Sequence, residues 1–365
     1  MKDKVVVLKC ESYSEDLIYE KLKRGIELLD LKNIPEKILL KPNMLSARNP
    51  NEGVTTHPTL ISGLIKIFEN KKLIIGDSPA NALKPIEEYW ENCGYLEISK
   101  KYNVELKKFD DFLIIDLNVN GKKCKIPVTK LIKEYKVLNI PKFKTHNLTT
   151  LTIGIKNLYG LIPGMTKSIL HSKFINPYDF SSFLIEFYKE IEKNIFLTVV
   201  DAIIIMEGDG PSSGELRKAG YIIIGESPVY VDYFCCLLAS INPENIDFIK
   251  IYKEKYKLKE PEIIGDNFEV LKNFKLPSTK KYFLIKNKFF SKLLLPISKF
   301  FKIIPVINLQ KCKKCYSCVN VCPVKSISKN LKFDRKKCIL CFCCFEVCPY
   351  KAIKIKKSLI AKILT

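Results

Sequence analysis

The chain has 365 residues, a formal net charge of +22 and fourteen cysteines, and 47% of its residues are hydrophobic. That composition excludes a disordered polyelectrolyte and allows about two domains with cores of their own. No apolar run is long enough to span a bilayer, and Met1-Lys-Asp-Lys-Val-Val-Val-Leu lacks the apolar core of a signal peptide. A soluble or peripheral protein is therefore expected.

In chain order, short β-rich apolar runs at 4–9, 37–41, 72–76, 136–140, 196–205 and 221–225 alternate with helical-period segments. The helices are expected at 14–30, 58–70, 85–102, 180–193, 229–240 and 245–257, and a hairpin at 113–128, where Asn120-Gly121 supplies a two-residue turn. Such alternation predicts an α/β fold over 1–270, a mostly parallel sheet with flanking helices. Polar and glycine-bearing motifs follow the strands: Lys41-Pro42-Asn43, Gly76-Asp77-Ser78, Pro141 to His146, Asp201 through Glu207-Gly-Asp-Gly-Pro211, and Gly225-Glu-Ser-Pro228. In an open α/β sheet these loops converge on a crevice at the carboxyl ends of the strands, so one shared site is expected.

All three histidines, His57, His146 and His171, lie in or beside such motifs. Thr56-His57-Pro58 reads as a helix start capped by Thr56, which would hold the His57 imidazole neutral and suit it to bind a metal or act as a base. A packed structural role explains His57 or His146 equally well. With Asp77, Asp201, Glu207 and Asp232 the histidines offer an N/O ligand set for an additional metal, or a catalytic set of His57, His146, Asp77, Asp201 and Glu207. Lys41, Lys142, Lys144, Lys156 and Lys167, beside Asn43, Thr145 and Asn157, suit capture of an anionic small molecule or cofactor, although lysines also line solvated faces. Gly208 to Gly214 either cradles an anion or is a tight turn carrying Glu207 and Asp209; it matches neither a Walker loop nor a dinucleotide fingerprint.

The order of Lys41-Pro42-Asn43, Thr56-His57-Pro58, Gly76-Asp77-Ser78, Lys142-x-Lys144-Thr145-His146, Gly154-x-Lys156-Asn157-x-x-Gly160, Lys167 to His171, Asp201, Glu207-Gly-Asp-Gly-Pro211 and Asp232 resembles the domain-of-unknown-function 362 family over roughly 37–265. The resemblance implies an iron-sulfur-centre protein in a cytoplasmic, anaerobic setting, often fused to a C-terminal ferredoxin. It implies no particular reaction.

Residues 271–365 hold 23 Lys or Arg against two acids, Asp334 and Glu346, a net of +21, while 1–270 carries only +1. A basic amphipathic linker is expected at 271–305, its lysines threaded with Phe289, Phe290, Phe300 and Phe301. It either docks the next domain onto the first or lies as a peripheral contact on an anionic membrane surface. Nucleic acid is the weakest reading, since no recognition motif accompanies the charge.

The last segment repeats itself at an offset of 26 residues: Cys312-x2-Cys315-x2-Cys318-x3-Cys322-Pro323 and Cys338-x2-Cys341-x2-Cys344-x3-Cys348-Pro349. This is the ligand spacing of two 4Fe-4S clusters, the fourth cysteine of each half serving the other half's cluster. Cys312, Cys315, Cys318 and Cys348 are assigned to one, and Cys338, Cys341, Cys344 and Cys322 to the second. A zinc ribbon would use pairs of Cys-x2-Cys without the third and fourth cysteine. Cys343 is either packed or a spare ligand, and Tyr316 and Phe342 stand where glycine is common. A small α+β bacterial-type ferredoxin domain is expected at 306–357, with a tail at 358–365.

Together these features predict an iron-sulfur oxidoreductase that takes electrons from an acidic carrier, a ferredoxin or flavodoxin, and passes them to an anionic ligand in the α/β domain. An electron-relay or binding protein, and a non-redox enzyme with a structural ferredoxin domain, are the alternatives.

Overall fold

A computed structural model describes residues 3–79, 85–280 and 303–358. The large domain runs β1 (Lys4–Lys9), α1 (Glu15–Leu29), β2 (Lys37–Pro42), α2 (Pro58–Ile67), β3 (Lys72–Asp77), α3 (Ile86–Asn92), α4 (Tyr95–Tyr102) and β4 (Glu105–Lys108). The hairpin β5 (Phe112–Val119) and β6 (Lys122–Thr129) follows, then β7 (Lys136–Ile140), β8 (Lys142–His146), β9 (Thr150–Thr152), α5 (Gly154–Leu158), α6 (Thr166–Lys173) and α7 (Pro177–Ile191). It finishes with β10 (Ile195–Glu207), β11 (Glu215–Gly225), α8 (Pro228–Leu238), α9 (Asp247–Tyr256) and β12 (Glu262–Gly265).

The sheet order is β12-β1-β11-β10-β7-β2-β3-β4, with β8 and β9 branching from β10. Pairing is parallel except along β11, which runs antiparallel to both β1 and β10, and at β8 with β9. A short loop joins β10 to β11, so they form a hairpin, whereas a parallel pair needs a long crossover. The pleat divides each central strand between two cores. Val6, Leu8, Ile38 and Leu40 pack with residues of α1, α2 and α4 on one face, and Val5, Val7 and Leu39 share the other with α7, α8 and α9.

The expected fold class holds: an α/β domain with a mostly parallel sheet, plus a small ferredoxin-type domain. The helix expected at 85–102 is two helices instead, because Gly94 adopts φ +75°, a left-handed conformation that ends α3 and starts α4. β8 and β9 were not anticipated. All five residues of Lys142–His146 are buried although three carry polar heads at alternate positions.

The first part of the expected linker lies against the large domain. Leu271 joins its core, the Thr279 hydroxyl donates to Asn147 O at 2.6 Å, and the Ser278 N–H donates to Asp209 at 2.8 Å. Phe289, Phe290, Phe300 and Phe301 of the linker fall outside the described residues. In the small domain β13 (Ile303–Ile307) pairs antiparallel with β14 (Ile353–Lys357), enclosing α10 (Ser317–Val321) and α11 (Cys343–Glu346). β13 thus begins inside the range expected to be linker.

The sequence repeat is also a backbone repeat. Positive φ occurs at Lys314, Tyr316 and Lys325 and again at Leu340, Phe342 and Lys351, each 26 residues on. Tyr316 and Phe342 start their helices in the left-handed region, which is why glycine suits those positions.

Helix α5, which carries Lys156 and Asn157, is pinned by Asp232 of α8, whose carboxylate accepts the N–H groups of Gly154 at 2.6 Å and Ile155 at 2.9 Å. Replacing Asp232 with Ala leaves two buried amides unpaired. The expected loss is about 1–3 kcal/mol, read as a lower urea midpoint.

Candidate functional site

The carboxyl ends of β2, β3 and β8, together with α5, surround a cavity of about 70 Å³. Its lining includes Lys41, Asn43, Asp77, Lys144, His146, Lys156, Asn157, Lys167 and Glu346. Every one of these except Glu346 lies in a motif read from the sequence.

Each lysine is held differently. Lys41, 1% exposed, donates to Asp77 at 2.6 Å and to Pro42 O at 2.6 Å. Burial pushes its pKa down and Asp77 opposes that. A Cβ on Gly160 would collide with the Lys41 side chain, so glycine there leaves the ammonium its place. Lys144 donates to Asn43 Oδ1 at 2.7 Å and to Val54 O at 2.5 Å, and Lys167 to the carbonyls of Ser78 and Ile162. Burial pulls both ammonium groups down to about 7. Lys156 lies over the ring of Tyr159 at 4.5 Å, with no hydrogen-bond acceptor among the described residues.

A chain of buried amides runs back from the cavity. Asn43 Nδ2 donates to Asn157 Oδ1 at 2.8 Å, Asn157 Nδ2 to Asn139 Oδ1 at 2.9 Å, and Asn139 Nδ2 to Gly154 O at 3.0 Å. This fixes which way each amide points, so Asn43 presents its oxygen to Lys144. Asn139 had no sequence signal beyond its place in an apolar strand.

The small domain closes the cavity. Glu346, on α11, stands with His146 Nε2 3.2 Å from its Oε1 but out of line, leaving that oxygen buried without a hydrogen-bond partner among the described residues. Burial pushes the Glu346 carboxyl up to about 7, opposed by Lys156 and Lys144. His146 Nδ1 accepts the N–H groups of Leu148 at 3.1 Å and Thr149 at 3.3 Å. Burial, then Lys156, holds its pKa well below the usual histidine value, so the ring is neutral and carries its proton on Nε2. Its place as one of two acids in a strongly basic segment was the available clue to Glu346.

Two further contacts bind the domains. Arg48, 4% exposed, donates to Cys348 O at 2.8 Å and to Glu52 at 2.6 Å, and the Ser212 hydroxyl donates to Phe345 O at 3.3 Å. The Gly208–Gly214 loop therefore docks the ferredoxin domain.

The shared site expected from sequence is divided. Lys142 and Asp201 form a separate buried pair at 2.9 Å, and both bond the Tyr13 hydroxyl, at 2.7 and 2.8 Å. Lys142 and His146 are four residues apart on one strand, about 13 Å at 3.3 Å per residue, so they serve different places. His57 stacks on Tyr13 with ring centroids 3.7 Å apart and is itself the cap of α2, its Nδ1 accepting the Thr59 N–H at 3.3 Å. Thr56 is not the cap, because its hydroxyl donates to Ile140 O at 2.5 Å and accepts the Asn43 N–H at 2.8 Å. Burial lowers His57 to about 4, with Asp201 opposing and Lys142 assisting.

The N/O metal set is not gathered. Asp77 is paired with Lys41, Asp201 with Lys142, Glu207 with Arg217 at 3.3 Å, and Asp232 with backbone amides. Among the described residues no three His, Cys, Asp or Glu side chains converge on a single metal ion. His171 is a core residue, stacked on Phe180 at 4.4 Å.

The cysteines form two neighbouring groups. Burial and the thiols of Cys348, Cys315 and Cys312 push Cys318 up to about 12. Cys344 is raised well above its ordinary value by burial and then by Cys341, Cys318, Cys338 and Cys322. At equivalent places in the repeat, Ser326 N–H donates to Cys322 Sγ at 3.2 Å and Ala352 N–H to Cys348 Sγ at 3.3 Å. Backbone donors to sulfur are what a cluster's thiolates require, so this donor set fits 4Fe-4S binding. Cys343 is buried against Val321 and Val347. Cys315 is exposed, next to the exposed Lys311, Lys313 and Lys314.

Asp77→Asn should leave Lys41 a buried cation without its counter-charge and cost about 3–5 kcal/mol. Adding Lys41→Met should recover most of that loss in chemical denaturation.

Residues 304–349 match a family model described as a 4Fe-4S dicluster domain. The "Thylakoid-associated protein sll1697" of Synechocystis sp. is 26% identical over 322 residues, covering 78% of this chain and 96% of that protein. A solved structure, the lactate racemase apoprotein from Thermoanaerobacterium thermosaccharolyticum, aligns with TM-score 0.42 and 17% identity over 65% of this chain. The alignment spans 57% of the racemase chain. Residues 38–237, more than half of the chain, match the model of the Domain of unknown function (DUF362) family. The chain is an iron-sulfur protein that belongs to the DUF362 family.

Proposed function

We propose that this chain is an electron-transfer protein carrying two 4Fe-4S clusters, and that it acts as an oxidoreductase on an anionic ligand bound in the large-domain cavity. Cys312, Cys315, Cys318 and Cys348 hold the outer cluster; Cys338, Cys341, Cys344 and Cys322 hold the inner one. The observation that carries the reading is the position of Glu346, which lines the cavity from a helix that also supplies Cys344. Lys156 and Tyr159 of the cavity also lie within electrostatic reach of the Cys343 thiol, next to Cys344. Exposed Cys315 and its lysines form the other end, where an acidic ferredoxin or flavodoxin delivers electrons.

In this reading the clusters supply electrons one at a time. The chain's own residues bind and orient the ligand: Lys144, Lys156 and Lys167 attract it, and the Asn43-Asn157-Asn139 chain keeps Lys144 aimed. His57, Asp201, Lys142 and Glu207 line no part of the cavity and serve the surrounding structure.

Anaerobically reconstituted protein should contain about eight iron and eight sulfides per chain. Cys338→Ser should lose about half of each while leaving the outer cluster's spectrum. Iron at half the expected amount in the wild type overturns the two-cluster assignment. Reduction by an acidic carrier should slow steeply with salt, since screening acts beyond about 8 Å at physiological ionic strength. A rate indifferent to salt removes that partner.

Peripheral membrane contact is a second reading, supported by the name of the cyanobacterial relative and by the lysine and phenylalanine content of 281–302. Among the described residues no helix is long and apolar enough to cross a membrane. Flotation with anionic liposomes should be lost when Phe289, Phe290, Phe300 and Phe301 become Ser if the rings insert. Wild-type protein that stays at the bottom of the gradient rejects this reading.

A further inference from the structure

The cavity lining sets both the charge and the size of what fits. Four lysines, Lys41, Lys144, Lys156 and Lys167, face two acids, Asp77 and Glu346, a formal excess of two positive charges (4 − 2). His146 adds none, because it is neutral. Asp77 is bonded to Lys41, and among the described residues no carboxylate is bonded to Lys144, Lys156 or Lys167. The volume of about 70 Å³ holds about five to seven water-sized groups at the ~10–15 Å³ each one needs.

We propose that the occupant of this cavity is a small dianion, an oxyanion or dicarboxylate of phosphate or oxalate size, gripped by Lys156 together with Lys144 and Lys167. The inference rests on the reading above that the cavity takes an anion, and it specifies the class. Lys156 is the principal hook: its neighbours Tyr159 and Phe180 hold the ammonium over their rings at 4.5 and 5.7 Å, and among the described residues none of its three N–H donors has an acceptor. Lys144 and Lys167 spend donors on neutral acceptors, which supply no counter-charge of their own. Burial accordingly pulls both toward neutrality, to about 7, and a bound dianion reverses that pull. Asn43 and Asn157 are held by bonds to each other, to Lys144 and to Asn139, so they shape the wall.

The test uses the full-length chain with its clusters reconstituted, handled without oxygen. Titration calorimetry with oxalate and with inorganic phosphate is compared with acetate, a monoanion of similar size. Dianions should bind at least about tenfold more tightly than acetate, and Lys156→Met should weaken oxalate binding by about tenfold or more, the loss of one charge-assisted contact. Lys218→Met, on the exposed rim of β11, is the control and should change nothing. Circular dichroism checks that each variant is folded. Acetate binding as well as oxalate, or an unaltered affinity in Lys156→Met, overturns the inference.

A cluster titration separates this from the wider functional reading. Saturating oxalate that binds as expected but leaves both midpoint potentials unmoved keeps the dianion site and sinks electron delivery to it. If no dianion binds while Lys156→Met shifts a midpoint potential, the lysines only offset cluster charge and the dianion site is rejected.

Discussion

Everything at the carboxyl edge of the sheet follows from burying lysines there. Lys41, Lys142 and Lys144 are each 1% exposed and Lys167 8%. An ammonium without water costs several kcal/mol unless it is paired and hydrogen-bonded. Each lysine therefore dictates something nearby: Asp77 for Lys41, Asp201 and Tyr13 for Lys142, an oriented amide for Lys144, and two carbonyls for Lys167. The result is a rigid cationic wall whose spare charge points into one small cavity.

The ferredoxin domain is fitted to that wall through backbone as much as side chains. Arg48 and Ser212 both address carbonyl oxygens of the small domain, at Cys348 and Phe345. Carbonyl positions there are set by the cysteine loops, so the docking is tied to the local geometry of those loops. Glu346 then enters the cavity as a consequence of α11 being seated.

Several elements were legible because their signals are local. Alternating apolar runs and the Asn120-Gly121 turn located β1, β2, β7 and the β5–β6 hairpin. β8 was missed because Lys-Phe-Lys-Thr-His carries polar heads on one side, which reads as loop until something buried is known to receive them. The break between α3 and α4 was present in the sequence as Gly94 and was overridden by helical periodicity on both sides.

The sequence by itself determined the iron-sulfur dicluster domain, the α/β architecture and the motif loops, because cysteine spacing, strand hydrophobicity and turn chemistry each act over a few residues. Only the tertiary structure decided how the candidate residues divide. It sent Lys41, Asp77, Lys144, His146 and Lys156 to the cavity, sent Lys142, Asp201 and His57 to a separate buried cluster beside Tyr13, and left Glu207 on Arg217. It also brought in Glu346, and it joined Arg48 to Cys348 across 300 residues of chain. Those outcomes depend on which charges become buried opposite one another, and burial is a property of the packed molecule that no local pattern encodes.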